Sequence, residues 1–174
     1  SGIKTNVVNY LVFVAEDNVG NYKVDAQTIN GVLYNNFKVN VDNQVPTVTA
    51  GEKFSESQYY RPQENGTFVI YGVAEDTAAG IRSLIVKANG KEITKDNNTY
   101  GTLTVSESGE GASSLSSEYD GVEFSKKKVF WKVELKDSVF TGVETGKSVS
   151  VQVVATDDAG GGNSETYSVA NIVI

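Results

Sequence analysis

The sequence predicts an all-β antiparallel sandwich, and three observations predict it. Runs of strand length alternate apolar with polar residues, as Val149, Val151, Val153 and Ala155 do against Ser148, Ser150 and Gln152. Turn signals separate these runs, and no segment keeps a helical apolar period over three turns. One phrase also occurs three times, as Ala15-Glu16-Asp17-Asn18-Val19-Gly20-Asn21, Ala74-Glu75-Asp76-Thr77-Ala78-Ala79-Gly80 and Ala155-Thr156-Asp157-Asp158-Ala159-Gly160. Each time a β-rich run reaches Ala, passes a carboxylate and meets Gly a few residues later.

Taken in order, Val7 to Ala15 is β-branched or aromatic and reads as a strand, with Leu11, Phe13 and Ala15 inward by register with Ala155. Tyr22 to Ile29 and Val32 to Val41 flank Asn30-Gly31, a two-residue hairpin signal, since both central residues of a type I′ turn need positive φ. An opening piece of this size cannot bury a core alone. Residues 1–43 therefore read as the last strands of a domain whose beginning is missing, or as strands added to the main sheet. Pro46 marks the boundary, because it disfavours helix in its predecessor and removes a donor. Residues 44–174 then read as a complete domain.

Within that domain, Thr67 to Ala74 is apolar on both parities, so the pattern does not choose its buried face, and Gly72 implies a close backbone approach or a bulge. Ile81 to Ala88 places Leu84, Val86 and Ala88 inward, and Asn89-Gly90 turns it into Lys91 to Thr94. Thr99 to Val105 is a further strand. Ser106 to Gly121 is polar and reads as a mobile surface insertion with little to bury. Val129, Trp131, Val133 and Leu135 share one face of the next strand, which puts Trp131 in the core. Thr166 to Ile174 closes the domain.

Composition excludes several chemistries. The 174 residues carry a net charge of −7 and contain no Cys and no His. Disulfides and thiolate metal sites are ruled out, and the commonest general base is missing. An acidic surface argues against nucleic acid, and no run approaches the ~20 apolar residues of a membrane helix. The basic run Lys126-Lys127-Lys128 reads as a solvated strand entry rather than a polyanion site.

The linker Val41-Asp42-x-x-x-Pro46, the strand ending in Gly72-x-Ala74-x-Asp76, Gly80-Ile81 with the Asn89-Gly90 hairpin, and the penultimate strand ending in Ala155-x-Asp157-x-Ala159-Gly160 together resemble bacterial immunoglobulin-like domains. These are strung in tandem on large surface and secreted proteins. The resemblance covers residues 46–174 as one domain and 7–41 as the tail of another. Its closing turn usually reads Asp-x-Ala-Gly-Asn. Asp17 to Asn21 matches with Val for Ala, whereas Asp157 to Asn163 carries two extra glycines and should be looser. The resemblance implies an immunoglobulin-like sandwich in a non-catalytic structural or adhesive segment, extracellular or at the cell surface. Its partners would be neighbouring domains of the same chain, a surface protein or a glycan. The alternatives are a carbohydrate-binding or accessory module of a polysaccharide-degrading enzyme, or a surface-layer lattice domain.

Two candidate sites follow. The strand order sends the linker and two acidic turns to one pole, gathering Asp42, Glu75, Asp76, Asp157 and Asp158. Several hard oxygens suit calcium, though none is required by the fold; the other reading has each Asp accepting backbone N–H bonds within its own turn. Tyr59, Tyr60 and Phe130 are the candidate sugar platform, and adjacent Tyr59 and Tyr60 cannot both point inward. The many acids sit at turns and on a polar loop, which argues against a glycosidase pair in a cleft.

Overall fold

A computed structural model describes residues 3–11, 13–25, 27–29, 32–34, 37–62 and 66–174. The chain divides into two compact units, Ser1–Asn43 and Gln44–Ile174. The first is made of short strands in three antiparallel pairs: β1 (Val8–Leu11) with β6 (Phe37–Asn40), β2 (Phe13–Glu16) with β3 (Tyr22–Asp25), and β4 (Gln27–Ile29) with β5 (Val32–Tyr34). Asn30 and Gly31 lie outside the described residues, but Ile29 pairs with Val32 across them. Of the residues expected inward, Leu11 is half-buried and Ala15 is exposed; the Phe13 side chain lies outside the description. Val8, Tyr10, Val14, Val19 and Tyr22 are also exposed.

The second unit is a two-layer β-sandwich. Its strands are β7 (Thr47–Ala50), β8 (Gln58–Tyr59), β9 (Phe68–Glu75), β10 (Ile81–Ala88), β11 (Lys91–Ile93), β12 (Gly101–Ser106), β13 (Lys128–Leu135), β14 (Ser148–Asp157) and β15 (Ser164–Val173). One sheet has the order β12-β13-β9-β7 and the other β11-β10-β14-β15-β8. All pairings are antiparallel except β15 with β8. Asn89 and Gly90, with φ of 48° and 69°, make the tight turn between β10 and β11.

The core forms where the inward residues of the sheets meet. Leu84, Val86 and Ala88 of β10 and Val149, Val151, Val153 and Ala155 of β14 are buried with Ile70, Ala74, Val129, Trp131, Val133 and Leu135. Trp131 is wholly buried and stands opposite Gly72 in the β13–β9 register. A Cβ on Gly72 would collide with the Thr49 carbonyl oxygen and crowd the indole at 2.7 Å. Glycine here admits a close backbone approach.

β9 is apolar on both parities because both of its faces are covered. Ile70, Gly72 and Ala74 share the Trp131 face, while Tyr71 and Val73 share the outer face with Phe130. An aromatic layer covers that outer face: Tyr71 meets Phe54 edge-on at 5.2 Å, and Phe130 contacts Tyr71, Tyr119 and Phe124 at 6.2, 5.8 and 6.0 Å. Part of this cover comes from the polar stretch after β12, through Tyr119, and the expectation of an insertion with little to bury is corrected. It forms α1 (Glu110–Ser113), buries Ala112 completely and lays Tyr119 against Phe130. Glu118 Oε1 accepts the Glu52 N–H at 2.9 Å, fixing the stretch to the turn after β7. Burial, with the Glu118 charge beside it, pushes the Tyr119 phenol up to about 12. Tyr119→Ala should strip this cover at a cost of about 1–3 kcal/mol and make residues 106–121 the first site of limited proteolysis. Unchanged cleavage would mean that the tyrosine is not the anchor.

Candidate functional site: the acidic turns

Asp17 and Asp157 close their turns in the same way, and Asp76 caps its turn with backbone bonds alone. Asp17 Oδ1 accepts the N–H groups of Val19 and Asn21 at 3.0 and 2.9 Å, and its Oδ2 accepts the Asn21 side-chain amide at 2.9 Å. Asp157 Oδ1 accepts from the N–H groups of Ala159 and Asn163 at 3.1 and 2.8 Å, and its Oδ2 from the Asn163 amide at 2.7 Å. The main chain closes these two loops as well, with Asp17 N–H donating to Asn21 O at 2.8 Å and Asp157 N–H to Asn163 O at 3.0 Å, whereas Asp76 N–H donates to Lys127 O at 2.8 Å. Asp76 Oδ1 takes the N–H groups of Ala78 and Gly80 at 3.0 and 2.9 Å.

The extra glycines of the third turn do not loosen this clasp, contrary to the expectation from their number. They pass into the loop, where Gly162 takes φ of +68° and its N–H donates to Ala159 O at 2.9 Å. A side chain there would also collide with the Arg82 guanidinium. Asp–Asn closure thus keeps the hairpin register identical in the two units. Phe13, Val14, Ala15 and Glu16 pair with Asp25, Val24, Lys23 and Tyr22, just as Val153, Val154, Ala155 and Thr156 pair with Tyr167, Thr166, Glu165 and Ser164.

Within the second unit the Asp76 and Asp157 turns share one pole. Asp158 N–H donates to Gly80 O at 2.9 Å, and a carboxylate oxygen of Asp76 lies within 4.8 Å of one of Asp157. Both side chains are buried. Their charges are held by backbone donors, and the flanking acids by Lys126 and Lys128 of the lysine run. Lys126 pairs with Asp158, Lys127 Nζ donates to Thr77 O at 2.9 Å, and Lys128 Nζ sits 3.3 Å from Glu75. The Lys126 hydrogen bond, followed by its charge, holds the Asp158 carboxyl below the usual range. Sequence reasoning missed these three lysines as partners. The available signal was a basic run in a chain whose acids cluster at turns. Asp42 is half-buried and is the penultimate residue of the first unit.

This geometry favours capping for Asp76 and Asp157, because their oxygens already accept N–H donors while Glu75 and Asp158 face cations. Millimolar calcium should therefore shift the melting temperature of the second unit by less than about 1 °C. A rise of several °C, corresponding to the ~2.7 kcal/mol of stabilisation expected at a hundredfold excess over a dissociation constant, would establish a metal site.

The aromatic candidates separate. Tyr59 is 83% exposed on the two-residue strand β8, beside Arg61, Pro62 and Thr145. Tyr60 and Phe130 are buried and offer no ring face to solvent, which corrects their place in a sugar platform. Tyr60 turns inward because its neighbour faces out; it packs on Phe68 and Phe140, and its single O–H has Gly66 O and an Asp137 carboxylate oxygen as alternative acceptors. Phe130 lies on the outer parity as expected, but the stretch after β12 covers it. Among the described residues no helix is long and apolar enough to cross a membrane. Compared with known proteins, the sequence matches no family model and no curated protein.

Proposed function

We propose that this chain is a non-catalytic structural or adhesive segment of a larger bacterial extracellular or cell-surface protein, built from immunoglobulin-like sandwiches in tandem. The observation that carries the reading is the repeated hairpin. The same Asp–Asn clasp and the same register occur in both units, as repetition of one domain type along a chain would produce. At the Asp76–Asp157 pole the two buried carboxylates accept backbone N–H groups of their own turns, which suits a structural role. Such a segment needs no cofactor, and its working partners are neighbouring domains of its own polypeptide.

A carbohydrate-binding module is the second reading, and one observation favours it. Tyr59 presents its ring beside Arg61 and Thr145, a pairing of aromatic face and polar groups suited to a sugar. A glycan array probed with the whole chain separates the two. The structural reading expects no saturable binding. Saturable binding that Tyr59→Ala abolishes, with an unchanged circular dichroism spectrum, would replace it with the sugar-binding reading. Ordered arrays formed by the chain alone on concentration would instead point to a surface-layer lattice.

A further inference from the structure

The sheet edges of the second unit differ in how they are guarded against pairing with another strand. β11 has three residues, two of them Lys91 and Glu92. β8 has two, and the rest of the β15 edge carries Glu165 and a register shift. β7 begins behind Pro46, whose carbonyl takes the Tyr167 hydroxyl at 2.7 Å. β12 has none of these guards among the described residues. It is the last strand of its sheet and pairs with β13 alone, without a bulge. No residue from Asn97 to Ser106 is charged and none is Pro, in a chain of net charge −7. The ladder with β13 fixes which backbone groups of β12 face outward. Lys136 N–H donates to Tyr100 O at 2.9 Å, so Tyr100, Thr102 and Thr104 turn their N–H and C=O toward β13. Gly101, Leu103 and Val105 turn theirs to the edge, where no described strand pairs with them. The Leu103 side chain lies in the core, while Thr102 and Thr104 are exposed on the outer face.

We propose that β12 is the contact through which two copies of this chain pair edge to edge, antiparallel about a two-fold axis at Leu103. In that register Leu103 exchanges backbone hydrogen bonds with its own counterpart, and Gly101 does so with Val105 of the second copy. Thr102 stands opposite Thr104 of the second copy, a favourable cross-strand pair. The strands behind extend the same row: Glu134 and Thr102 continue into Thr104 and Lys132 of the second copy. Tyr100 meets Ser106 of the second copy, and no row sets like charges against each other. Two acidic chains therefore meet here without the repulsion that their net charge imposes elsewhere. This match of the edge to its own reverse selects a second copy as the occupant. A two-fold contact closes on itself, so it yields a dimer and not an array.

The test is sedimentation velocity of the 174-residue chain from micromolar to millimolar concentration, with amide hydrogen exchange by NMR in parallel. The expected result is a reversible dimer in which the Leu103 and Val105 amides exchange more slowly as concentration rises. The Thr102 and Thr104 amides should not change, because they already bond to β13. The double variant Thr102→Lys, Thr104→Lys sets Lys opposite Lys at both cross-strand pairs and should weaken dimerisation at least ~10-fold. The double variant Thr102→Glu, Thr104→Glu should do the same, and mixing the two should restore the dimer, since Lys then faces Glu. A parent that stays monomeric throughout would overturn the proposal, as would a dimer whose Leu103 and Val105 amides do not slow. Double variants with unchanged circular dichroism spectra that dimerise like the parent, or that fail to pair when mixed, would overturn it as well.

Discussion

Trp131→Ala abolishes cooperative unfolding of the sandwich, the largest single-residue effect expected in this chain. The indole is wholly buried, lies across from Gly72 on β9 and Val105 on β12, and fills the space that the missing Cβ of Gly72 leaves. Removing a buried aromatic of this size costs about 3–5 kcal/mol, because the cavity collapses only in part. That is a large share of the ~5–15 kcal/mol that stabilises a typical domain. The Trp131 Nε1–H is buried and has no hydrogen-bond partner among the described residues. Trp131→Phe should therefore lose much less than Trp131→Ala. Circular dichroism melts of both variants check this. A cooperative transition in Trp131→Ala within about 1 kcal/mol of the parent would show that the core does not depend on the indole.

Asp157→Ala should come next, at about 3 kcal/mol or more. The carboxylate is buried and accepts from two backbone N–H groups and the Asn163 amide. Alanine leaves those donors without their acceptor where water has little access. The same change at Asp17, which makes the same three contacts in solvent, should cost far less because water replaces the lost acceptor. Urea denaturation of the two variants gives the comparison. Equal and small losses would mean that the clasp is decoration and not a fixture of the fold. For Asp17 the pH dependence also has a defined sign. The Asn21 side-chain bond, followed by the Val19 and Asn21 backbone bonds, lowers its folded-state pKa. Its contribution is therefore present above the ordinary Asp range and is lost as pH falls through the lowered value.

How far the sequence reached depends on what each signal encodes. Alternation encodes which residues share a face, so Trp131, Leu84, Val86 and Ala88 could be placed inward before any coordinates existed. It does not encode whether the opposite face meets water. Phe130 and Tyr71 lie on the outer parity, and only the distant Tyr119, Phe124 and Phe54 decide that they are covered. The stretch after β12 misled for a related reason. Its Ser, Gly and Glu residues dominate a composition count, yet Ala112 and Tyr119 suffice to seat it. At the acidic pole, charge and spacing were legible, but whether a carboxylate faces a cation, a lysine or its own backbone is a matter of ångströms. The bulge at Val169, where Val151 faces Ala170 and Gln152 faces Ser168, left no mark in the pattern at all.

The Asp–Asn clasp separates the ends of a loop from its contents. Three residues lie inside it in the first unit (18–20) and five in the second (158–162), yet the strands leave it in one register. It behaves like a buckle that fastens whatever length of strap is threaded through it. Closure entropy grows slowly with loop length, so doubling the five-residue loop would cost only about 0.6 kcal/mol. Gly160 and Gly161, which have nothing within 4 Å of where a side chain would stand, mark the place where such a loop can lengthen and carry a foreign sequence without the sandwich registering the change.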